Sequence, residues 1–546
     1  QAQAQQLIAA AQQAFVDGKT AAILFAVIAS LIGLVLVLLL YPNKRDEEAT
    51  YARVAGQRPQ PRRDAEPEPE PDPGARAAEP DAPPLSDPRR NPTMHRRTPG
   101  RALVAGGVGN VVEWYDFAVY GAFATVIATT YFPGADPIAG LSASFAVFAT
   151  AFLARPVGAV VFGRLGDRVG RRQVLVTVIV LMAAATAGIG LLPGHAAIGV
   201  LAPVLLVVFR AAQGLSVGGE AAGATAFVVE YAPEGRRGWY GSWLWSTLAI
   251  GVGGGIGVAV LLARILPLEV LEDRGWRLAF LVALPLGLVG LYLRLRLDET
   301  PRFRAVARAD GIVRRPVAVT LRAYPGRLLL GLAPVAAASL TFNLYFFYLP
   351  SYLATALGVP LSRTLAAALV GLVVVAALAP PFGRLSDRVG RRPLLVAGTV
   401  ALVLAVLPAF LLIRGAEPAG LVLGYLLVAL PLASLVVVPA YLAELFPTPV
   451  RSTALALSYG LGTALFGGTA PFLATVLVRR TGSPVAPAIY AVAVAVVAVA
   501  AAVAARETAF QPLDTADLPE AGPARTLALH PFRAMRPGPG KGSMDP

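Results

Sequence analysis

Long apolar stretches recur along most of the chain, each separated from the next by a short polar segment. Between residues 101 and 505 we distinguish twelve of them, and each is close to the roughly 20 residues that an α-helix needs to cross a bilayer. Strands of a membrane barrel would alternate apolar and polar positions and be about half as long. The pattern therefore predicts an all-α membrane protein. The approximate limits are 101–128, 140–163, 173–192, 198–222, 240–263, 276–297, 326–354, 364–383, 393–413, 419–444, 452–477 and 484–505.

The first hundred residues have a different organisation. Residues 21–40 are continuously apolar and are followed by Lys44 and Arg45, so we predict an isolated transmembrane helix within residues 1–41. Residues 42–100 contain thirteen prolines and the run EPEPEPDPG. This composition offers too little apolar surface to fold. We therefore predict a disordered linker between the extra helix and the bundle.

Two interpretations of this N-terminal region stay open. The chain begins with Gln1, while Met94 lies just ahead of the first bundle helix. The stretch AFVDGKTAAILF resembles the last helix of fourteen-span drug exporters. Residues 1–93 are then either the tail of a different membrane protein, joined by fusion or by a misplaced start codon, or a simple extra anchor helix.

Composition supports a membrane protein and excludes several kinds of chemistry. The chain is 56% hydrophobic and 15% charged, with a mean hydropathy of +0.63, whereas soluble domains carry about 25% charged residues. The absence of cysteine excludes disulfides and thiolate sites, and three histidines leave little room for a metal cluster. No nucleophile–base set or phosphate loop occurs, so we expect neither an enzyme nor a bound cofactor or metal.

The net charge of +14 reflects membrane topology rather than nucleic-acid binding. The basic residues form short arginine clusters between the apolar stretches, as at Arg171–Arg172 and Arg236–Arg237. Membrane proteins retain such clusters on the cytoplasmic side of the bilayer. We therefore expect the lipid bilayer, and not a nucleic acid, to surround this chain, with residue 101 starting in the cytoplasm.

An internal repeat divides the bundle into two halves. Residues 163–172 read GRLGDRVGRR and residues 383–392 read GRLSDRVGRR, with nine of ten positions identical. Each copy follows the second apolar stretch of its half, which predicts parallel repeats about an axis normal to the membrane. The predicted segments are an N-terminal six-helix half (101–297), a cytoplasmic inter-half loop (298–325), a C-terminal six-helix half (326–505) and a disordered cytoplasmic tail (506–546).

Two sets of charged residues predict a cytoplasmic gate: those of this repeat, and those of a weaker repeat in which Glu230 and Arg237 match the spacing of Glu444 and Arg451. The acids can pair with arginines and with helix N-termini, and such pairs would hold the halves together until the cytoplasmic side opens. The alternative is that the arginines only enforce topology. The gate candidates are Asp167, Arg168, Arg171, Glu230 and Arg237 in the first half, and Asp387, Arg388, Arg391, Glu444 and Arg451 in the second.

Polar residues also occur inside the predicted membrane spans, where an ionised side chain costs about 2.5–3.5 kcal/mol even on lenient scales. In the first span, Asn110, Glu113, Asp116 and Tyr120 follow at helical spacing and predict one polar stripe. Charges at this depth persist when they face a cavity and have a partner.

The fourth span supplies the countercharge, and the second span contains a third charge. Arg210, Gln213 and Glu220 share one face of the fourth span, and Arg155 lies about two turns from the cytoplasmic end of the second. Because Arg210 and Asp116 lie at similar depth, we expect them to form an ion pair.

These residues suggest a division of labour between protons and substrate. Arginines would hold a carboxylate by bidentate hydrogen bonds, and one acid would take a proton that frees an arginine for substrate. A permanent structural brace is the alternative. Proton-coupling candidates are Glu113, Asp116 and Glu220, and substrate-binding candidates are Asn110, Tyr120, Arg155, Arg210 and Gln213.

The second half offers hydroxyl groups instead of charges. In the seventh span, Thr341, Tyr345, Tyr348 and Tyr352 predict one stripe. Tyr345 and Tyr348 are further substrate-binding candidates, because tyrosine rings can contact a quaternary ammonium group by cation–π attraction. The alternative, an aromatic belt at the membrane surface, applies most to Tyr352.

The repeated Gly-x-x-x-Asp-Arg-x-Gly-Arg-Arg loop resembles the hallmark of the major facilitator superfamily. The segments GNVVEWYDFAVYG, ARPVGAVVFGRLGDRVGRR, RAAQGLSVGGEAAG and GWRLAFLVALPLGLVGLYLRLRLDETPRF occur in that order, and together they resemble its metabolite:proton symporters. The resemblance implies a multi-pass protein of the bacterial cytoplasmic membrane that functions as a monomer. It further implies proton-driven import of a small organic carboxylate or zwitterion, such as proline, betaine, 2-oxoglutarate, citrate or shikimate, by alternating access.

Two other functions remain open. A proton-driven exporter of drugs or metabolites would fit the exporter-like helix at 21–40, although the fifth span lacks the Gly-Pro pair of drug/proton antiporters. A non-transporting membrane sensor would use the linker and would tolerate neutralisation of Asp116 or Arg210. No heptad repeat follows the last span, so osmotic gating is not expected.

Overall fold

The computed structural model describes residues 107–288 and 316–511. Short gaps within these ranges are residues 108, 135, 170, 219–224, 226–227, 230–231 and 448–449. The predicted N-terminal helix at 1–41 and the predicted linker at 42–100 lie outside the described residues.

The N-terminal half consists of helices at all six predicted positions. Span 1 is bent by 62° between its two segments, and span 6 reaches the edge of the described residues. The bounds are Gly109–Ala122 with Ala124–Tyr131 (span 1), Pro137–Val169 (span 2), Arg171–Leu191 (span 3), Leu201–Gly218 (span 4), Arg237–Ile265 (span 5) and Trp276–Leu281 continued at 283–288 (span 6). Short helices at His195–Ile198 and Leu268–Gly275 connect spans 3 to 4 and 5 to 6.

The C-terminal half repeats this arrangement with longer continuous spans. Several of its helices begin with proline at the first or second position, where the missing N–H is not needed. The bounds are Pro325–Leu357 (span 7), Leu361–Val389 (span 8), Arg391–Arg414 (span 9), Pro418–Leu445 (span 10), Arg451–Thr481 (span 11) and Ala486–Ala504 (span 12). In the part of the chain that the structure describes there is no strand, so the prediction of an all-α bundle is confirmed.

Two predicted boundaries need correction. The inter-half loop was expected to run from 298 to 325, but Pro316–Ala323 within it is helical. The tail was expected to begin at 506, but residues 506–511 are described and hydrogen-bonded to the bundle. In both places polar residues predicted a loop, whereas contacts with the bundle stabilise local structure.

Spans 7 and 11 each contain a π-helical segment near the middle of the bundle. These segments are Leu344–Tyr348 and Thr463–Gly468. A π-helical turn inserts an extra residue and rotates the side chains that follow it, and such turns occur frequently at functional sites.

Small residues bring neighbouring spans into close contact. A Cβ atom at Gly214 or Gly218 of span 4 would collide with the backbone of span 2 at Ala151 or Arg155. Likewise, a Cβ atom at Gly238 of span 5 would collide with Gly383 of span 8. This use of small residues is typical of helix packing in membranes, and it brings the charged positions of spans 2 and 4 next to each other.

Large apolar side chains cover the outside of the bundle. Leu153, Leu191, Leu261, Leu404 and Ile489 are each about half exposed or more. Extended apolar surface of this kind is rare in soluble monomers, and it is expected where lipid surrounds the helices.

Candidate substrate, proton and gate sites

The second span contributes an arginine that pairs with the first span inside the membrane. Arg155 Nη2 donates to Glu113 Oε1 at 3.1 Å. The two residues are only 5% and 7% exposed. The countercharge of Glu113 therefore comes from span 2.

The arginine of span 4 is enclosed by aromatic rings. Its guanidinium carbon lies 4.4 Å from the ring centroid of Tyr120, 4.9 Å from that of Phe117 and 5.2 Å from that of Phe148. Arg210 is fully buried, and its Nη1 donates to Gln213 Oε1 at 2.7 Å. Cation–π attraction and this amide therefore hold the charge in place.

The predicted direct pair between Asp116 and Arg210 is wrong. Both residues are described, and no ion pair within 4.0 Å joins them. A hydrogen-bond chain connects them instead: Gln213 Nε2 donates to Thr186 Oγ1 at 2.6 Å, and Thr186 Oγ1 lies 2.7 Å from Asp116 Oδ2. Similar depth of two residues does not set their distance across the bundle, and here span 3 inserts Thr186.

Thr186 is a site residue that sequence reasoning missed. It is fully buried and lies in the apolar run of span 3, where a single uncharged threonine does not mark a functional position. Its Oγ1 also lies 2.9 Å from the carbonyl oxygen of Met182. A hydroxyl has one proton, so Thr186 can donate either to Asp116 or to Met182.

The remaining residues of the predicted stripe on span 1 contact other spans. Asn110 Nδ2 donates to the carbonyl oxygen of Leu244 at 2.7 Å and to Thr247 Oγ1 at 2.9 Å. Tyr120 OH donates to the carbonyl oxygen of Ser144 at 3.0 Å. Asn110 thus joins span 1 to span 5, and Tyr120 joins it to span 2.

The predicted hydroxyl stripe of span 7 is divided by its π-helical segment. Tyr345 OH donates to the carbonyl oxygen of Val406 in span 9, so this hydroxyl lies within the C-terminal half. The Tyr348 ring faces Phe145 of span 2 at 6.1 Å and stacks on Tyr352. The Tyr348 hydroxyl is buried and has no hydrogen-bond partner among the described residues. Of these two substrate-binding candidates, Tyr348 therefore faces the other half and Tyr345 does not.

Asn343 is a second residue that sequence reasoning missed. It is fully buried, directly before the π-helical segment of span 7. Its Nδ2 donates to the carbonyl oxygen of Ser339 at 2.8 Å, whereas its Oδ1 lacks a hydrogen-bond partner in the described part of the chain. The preceding residue, Phe342, packs edge-on against Trp114 of span 1, which places this region where the two halves meet.

A cluster of charges lies at the arginine-rich end of the bundle, which the topology predicts to be cytoplasmic. Asp387 of span 8 accepts hydrogen bonds from the backbone N–H groups of Gly238 at 2.7 Å and Trp239 at 2.9 Å. These groups belong to the first turn of span 5. An acid of the C-terminal half thus caps a helix of the N-terminal half.

Arg391 connects this cap to a second acid. Its Nη1 donates to Asp387 Oδ1 at 3.0 Å, and its Nε and Nη2 donate to the two carboxylate oxygens of Glu444 at 3.1 and 2.9 Å. Arg237 of span 5 lies 3.7 Å from Glu444. The structure therefore brings together Asp387, Arg391, Glu444 and Arg237 of the predicted gate.

The other gate candidates fall into two groups. Arg388 is exposed, and Arg451 is buried with its Nε donating to the carbonyl oxygens of Ala443 and Phe446. The side chains of Asp167, Arg168 and Arg171, together with Glu220 and Glu230, lie outside the described residues.

The segment after span 12 extends this cluster. Glu507 accepts hydrogen bonds from the backbone N–H groups of Arg391 at 2.7 Å and Arg392 at 3.1 Å, and Thr508 Oγ1 donates to Glu444 Oε2 at 2.7 Å. Arg237 Nη1 donates to the carbonyl oxygen of Gln511 at 2.9 Å. Residues 507–511 therefore contact both halves.

The halves also meet at the opposite end of the bundle. Asp136 lies 3.6 Å from Arg479, and Ser351 Oγ donates to the carbonyl oxygen of Gly121 at 3.2 Å. Between the two ends, aromatic rings of both halves pack together, as between Phe148 and Phe347 at 5.4 Å. Within the described ranges, no group of three or more His, Asp or Glu side chains is placed to hold a metal ion.

Comparison with protein-family models gives a match to the sugar (and other) transporter family over residues 102–311 and 316–518. The glycine betaine/proline/ectoine/pipecolic acid transporter OusA of Dickeya dadantii is 38% identical over 437 residues, which is 77% of this chain and 87% of OusA. The proline/betaine transporter of Escherichia coli K12 is 38% identical over 427 residues, or 76% of this chain and 85% of that protein.

Comparison with solved structures gives the same fold. The proton:xylose symporter XylE of E. coli, a major facilitator superfamily protein, superposes with a TM-score of 0.60. The match covers 74% of this chain and 94% of XylE at 18% sequence identity. The similarity to XylE concerns the arrangement of helices, whereas the similarity to the betaine and proline transporters extends to sequence.

Proposed function

Because this chain belongs to the sugar (and other) transporter family of the major facilitator superfamily and is a multi-pass bacterial membrane transporter of small solutes, we propose that it imports a small zwitterion or carboxylate together with a proton. The relatives named for transport of betaine and proline support this substrate class. The hydrogen-bond chain from Asp116 to Arg210 is the observation that carries the proton-coupling part of the proposal.

Asp116 is the proposed proton carrier. It is 1% exposed, its Oδ1 has no hydrogen-bond partner among the described residues, and its Oδ2 contacts the Thr186 hydroxyl. When Asp116 is ionised, Thr186 donates to it. When Asp116 takes a proton, the new O–H donates to Thr186, whose own proton turns to the carbonyl oxygen of Met182.

This exchange would reach Arg210 through Gln213. Neutralising Asp116 removes the negative charge at one end of this hydrogen-bond chain. The Arg210 cation at the other end, which Gln213 and three aromatic rings hold in place, then lacks a compensating negative charge. The negative charge of a substrate carboxylate bound nearby in the N-terminal half supplies that compensation. Proton and substrate therefore bind best together, which is the requirement for symport.

The gate cluster supplies the second requirement, alternating access. Asp387 caps span 5 across the interface between the halves, and Glu444 contacts arginines of both halves. These contacts must break when the arginine-rich end opens and form again when it closes. We propose that they stabilise the state that is closed on the cytoplasmic side.

Purified protein in proteoliposomes tests the proposal. An inward proton gradient is imposed, and the uptake of glycine betaine, proline, 2-oxoglutarate, citrate and shikimate is measured beside an internal pH dye. We expect gradient-dependent accumulation of one compound, and acidification of the lumen when that compound is added without a gradient. Accumulation that does not depend on the proton gradient would overturn the proposal. Exit of preloaded compound when the gradient is applied would also overturn it, because that result is expected of an exporter.

A further inference from the structure

The ion pair between Glu113 and Arg155 is separate from the hydrogen-bond chain of Asp116. The contact to Glu113 is the only side-chain hydrogen bond that the described residues give Arg155, and the buried Nε of Arg155 has no partner there. The chain of Asp116 instead includes Thr186, Gln213 and Arg210. The N-terminal half thus contains two acid–arginine sets with different hydrogen-bond partners, and both arginines lie over the Phe117 ring.

Aromatic rings surround the Arg155 guanidinium group. Its central carbon lies 4.3 Å from the ring centroid of Phe152, 4.9 Å from that of Phe117 and 5.8 Å from that of Trp114. A cation within about 6 Å of an aromatic face is attracted by the ring, and rings grouped in this way recognise quaternary ammonium ions. We call Trp114, Phe117 and Phe152 the aromatic seat.

The aromatic seat lies where the two halves meet. Trp114 packs edge-on against Phe342 of span 7 with ring centroids 6.1 Å apart. Phe152 lies against Gly468, at the end of the π-helical segment of span 11, where a Cβ atom would collide with its ring. A relative movement of the halves therefore changes one wall of the seat.

We infer that the Glu113–Arg155 pair on the aromatic seat is an exchangeable pair that selects zwitterions. A zwitterion brings one carboxylate and one cationic nitrogen, so it can replace the internal pair with two new ones. Its carboxylate would bind Arg155, and its cationic nitrogen would take the place of the guanidinium group beside Glu113 and the rings. The net charge of the site stays unchanged.

A solute that is not a zwitterion cannot supply both a carboxylate for Arg155 and a cationic nitrogen for Glu113. A dicarboxylate would satisfy Arg155 but would place a second negative charge near Glu113. A cation without a carboxylate would leave Arg155 buried without a counterion, which is unfavourable. This inference rests on the proposed function and narrows its substrate class to small monocarboxylates with a fixed positive charge close to the carboxylate.

The sharpest test compares glycine betaine with 3,3-dimethylbutanoate, which has the same shape and carboxylate but no positive charge. Binding to purified protein is measured by tryptophan fluorescence and by thermal stabilisation at one fixed pH, without a gradient, with choline and 2-oxoglutarate as further probes. We expect the wild type to bind betaine about 10- to 100-fold more tightly than the isostere, as one charge-assisted contact predicts. Equal binding of the two compounds would overturn the inference without any variant.

Variants test whether Glu113 and Arg155 cause the preference for betaine over the isostere. We expect Glu113→Gln to lose most of the preference for betaine, with the aromatic rings retaining the remainder. The exchanged double variant, Glu113→Arg with Arg155→Glu, retains both charges, and it should still prefer betaine over the isostere. A folded Glu113→Gln protein that keeps the wild-type preference would overturn the inference, and so would loss of preference in a folded exchanged variant.

A matched variant separates this inference from the proposed proton coupling. Asp116→Asn should keep the preference for betaine over the isostere, because the hydrogen-bond chain of Asp116 includes neither Glu113 nor Arg155. If the gradient fails to drive uptake in the wild type while the preference depends on Glu113, the proposed coupling is wrong and the zwitterion site stands. If the gradient drives uptake but the preference does not depend on Glu113, the proposed coupling stands and the zwitterion site is wrong.

Discussion

The two halves of the bundle share a sequence repeat but place their buried charges differently. Within the described residues, the N-terminal half has Glu113, Asp116, Arg155 and Arg210 buried along the middle of its spans. At the corresponding level, the C-terminal half presents neutral groups, such as Asn343 and Tyr348. Its buried arginines, Arg391 and Arg451, lie at the arginine-rich end instead.

This difference suggests that the halves have separate tasks. Buried charges are costly and persist where they bind ions or protons, so the N-terminal half would contain the proton and zwitterion sites. The C-terminal half would close over them, with Tyr348 near Phe145 and Phe342 near Trp114. Its own charges would control opening at the arginine-rich end, through the contact of Asp387 with span 5.

The largest expected effect compares an arginine from each half. Arg155→Met leaves Glu113 buried without its arginine, and loss of one partner of a buried pair costs about 3–5 kcal/mol of unfolding free energy. Arg391→Met should cost less, because Glu444 keeps Arg237 and Asp387 keeps the N–H groups of span 5. Thermal unfolding in detergent measures both variants.

The control for this comparison is the double variant Glu113→Gln with Arg155→Met, which removes both charges. We expect it to regain much of the stability that Arg155→Met loses, because the buried ion pair is then removed as a whole. Equal destabilisation by Arg155→Met and Arg391→Met would refute the separation of tasks between the halves.

A smaller effect is expected at the gate. Asp387→Asn removes the negative charge that caps span 5, and loss of a helix cap costs about 1–2 kcal/mol, or roughly a 5- to 30-fold shift in population. The chain lacks cysteine, so a single introduced cysteine can report opening of this end. We place it at Leu455, which lines a small cavity together with Tyr459. Its labelling by a membrane-impermeant maleimide in inside-out vesicles should become faster.

Asp136→Asn serves as the matched control for this gate experiment. Asp136 is an exposed acid at the other end of the bundle, 3.6 Å from Arg479, and its side chain is 56% exposed. Exposed pairs contribute little to stability, so labelling of the cysteine at position 455 should stay at the wild-type rate. Unchanged labelling in Asp387→Asn as well would argue against a gate at this position.

The smallest effects distinguish two tyrosines of span 7. Tyr345→Phe removes the hydrogen bond to Val406 and should lower stability by about 0.5–1.5 kcal/mol with an unchanged KM for transport. Tyr348→Phe removes a hydroxyl without a described partner and should change KM but not the melting temperature. The reverse pattern would place Tyr345, not Tyr348, at the interface between the halves.

Much of the fold follows directly from the sequence. Hydrophobic length predicted the apolar spans, and nine helices of the described residues are long and apolar enough to cross a membrane, or ten if the bent pair of span 1 counts as one. The repeat at 163–172 and 383–392 predicted the two halves. These features depend on local composition and spacing, which a single sequence displays. The bundle of the major facilitator type is confirmed by the match to the family model and by the superposition on XylE.

The arrangement of the candidate site was less accessible to sequence reasoning. Spacing identified the buried charges but not their partners, because position along a helix does not determine which neighbouring helix a side chain faces. Thr186 of the apolar span 3 belongs to the hydrogen-bond chain of Asp116. The π-helical segment at Leu344–Tyr348 turns the side chains of Tyr345 and Tyr348 in different directions. Both features depend on tertiary packing, which hydrophobic periodicity does not describe.

The most direct test of the central claim separates proton coupling from substrate exchange in Asp116→Asn. Counterflow exchanges labelled for unlabelled substrate without a gradient, whereas accumulation requires one. With glycine betaine as the probe, we predict that Asp116→Asn retains counterflow and loses gradient-driven accumulation, while Asp136→Asn retains both. Gradient-driven accumulation at the wild-type level in Asp116→Asn would contradict the assignment of the proton to the N-terminal half.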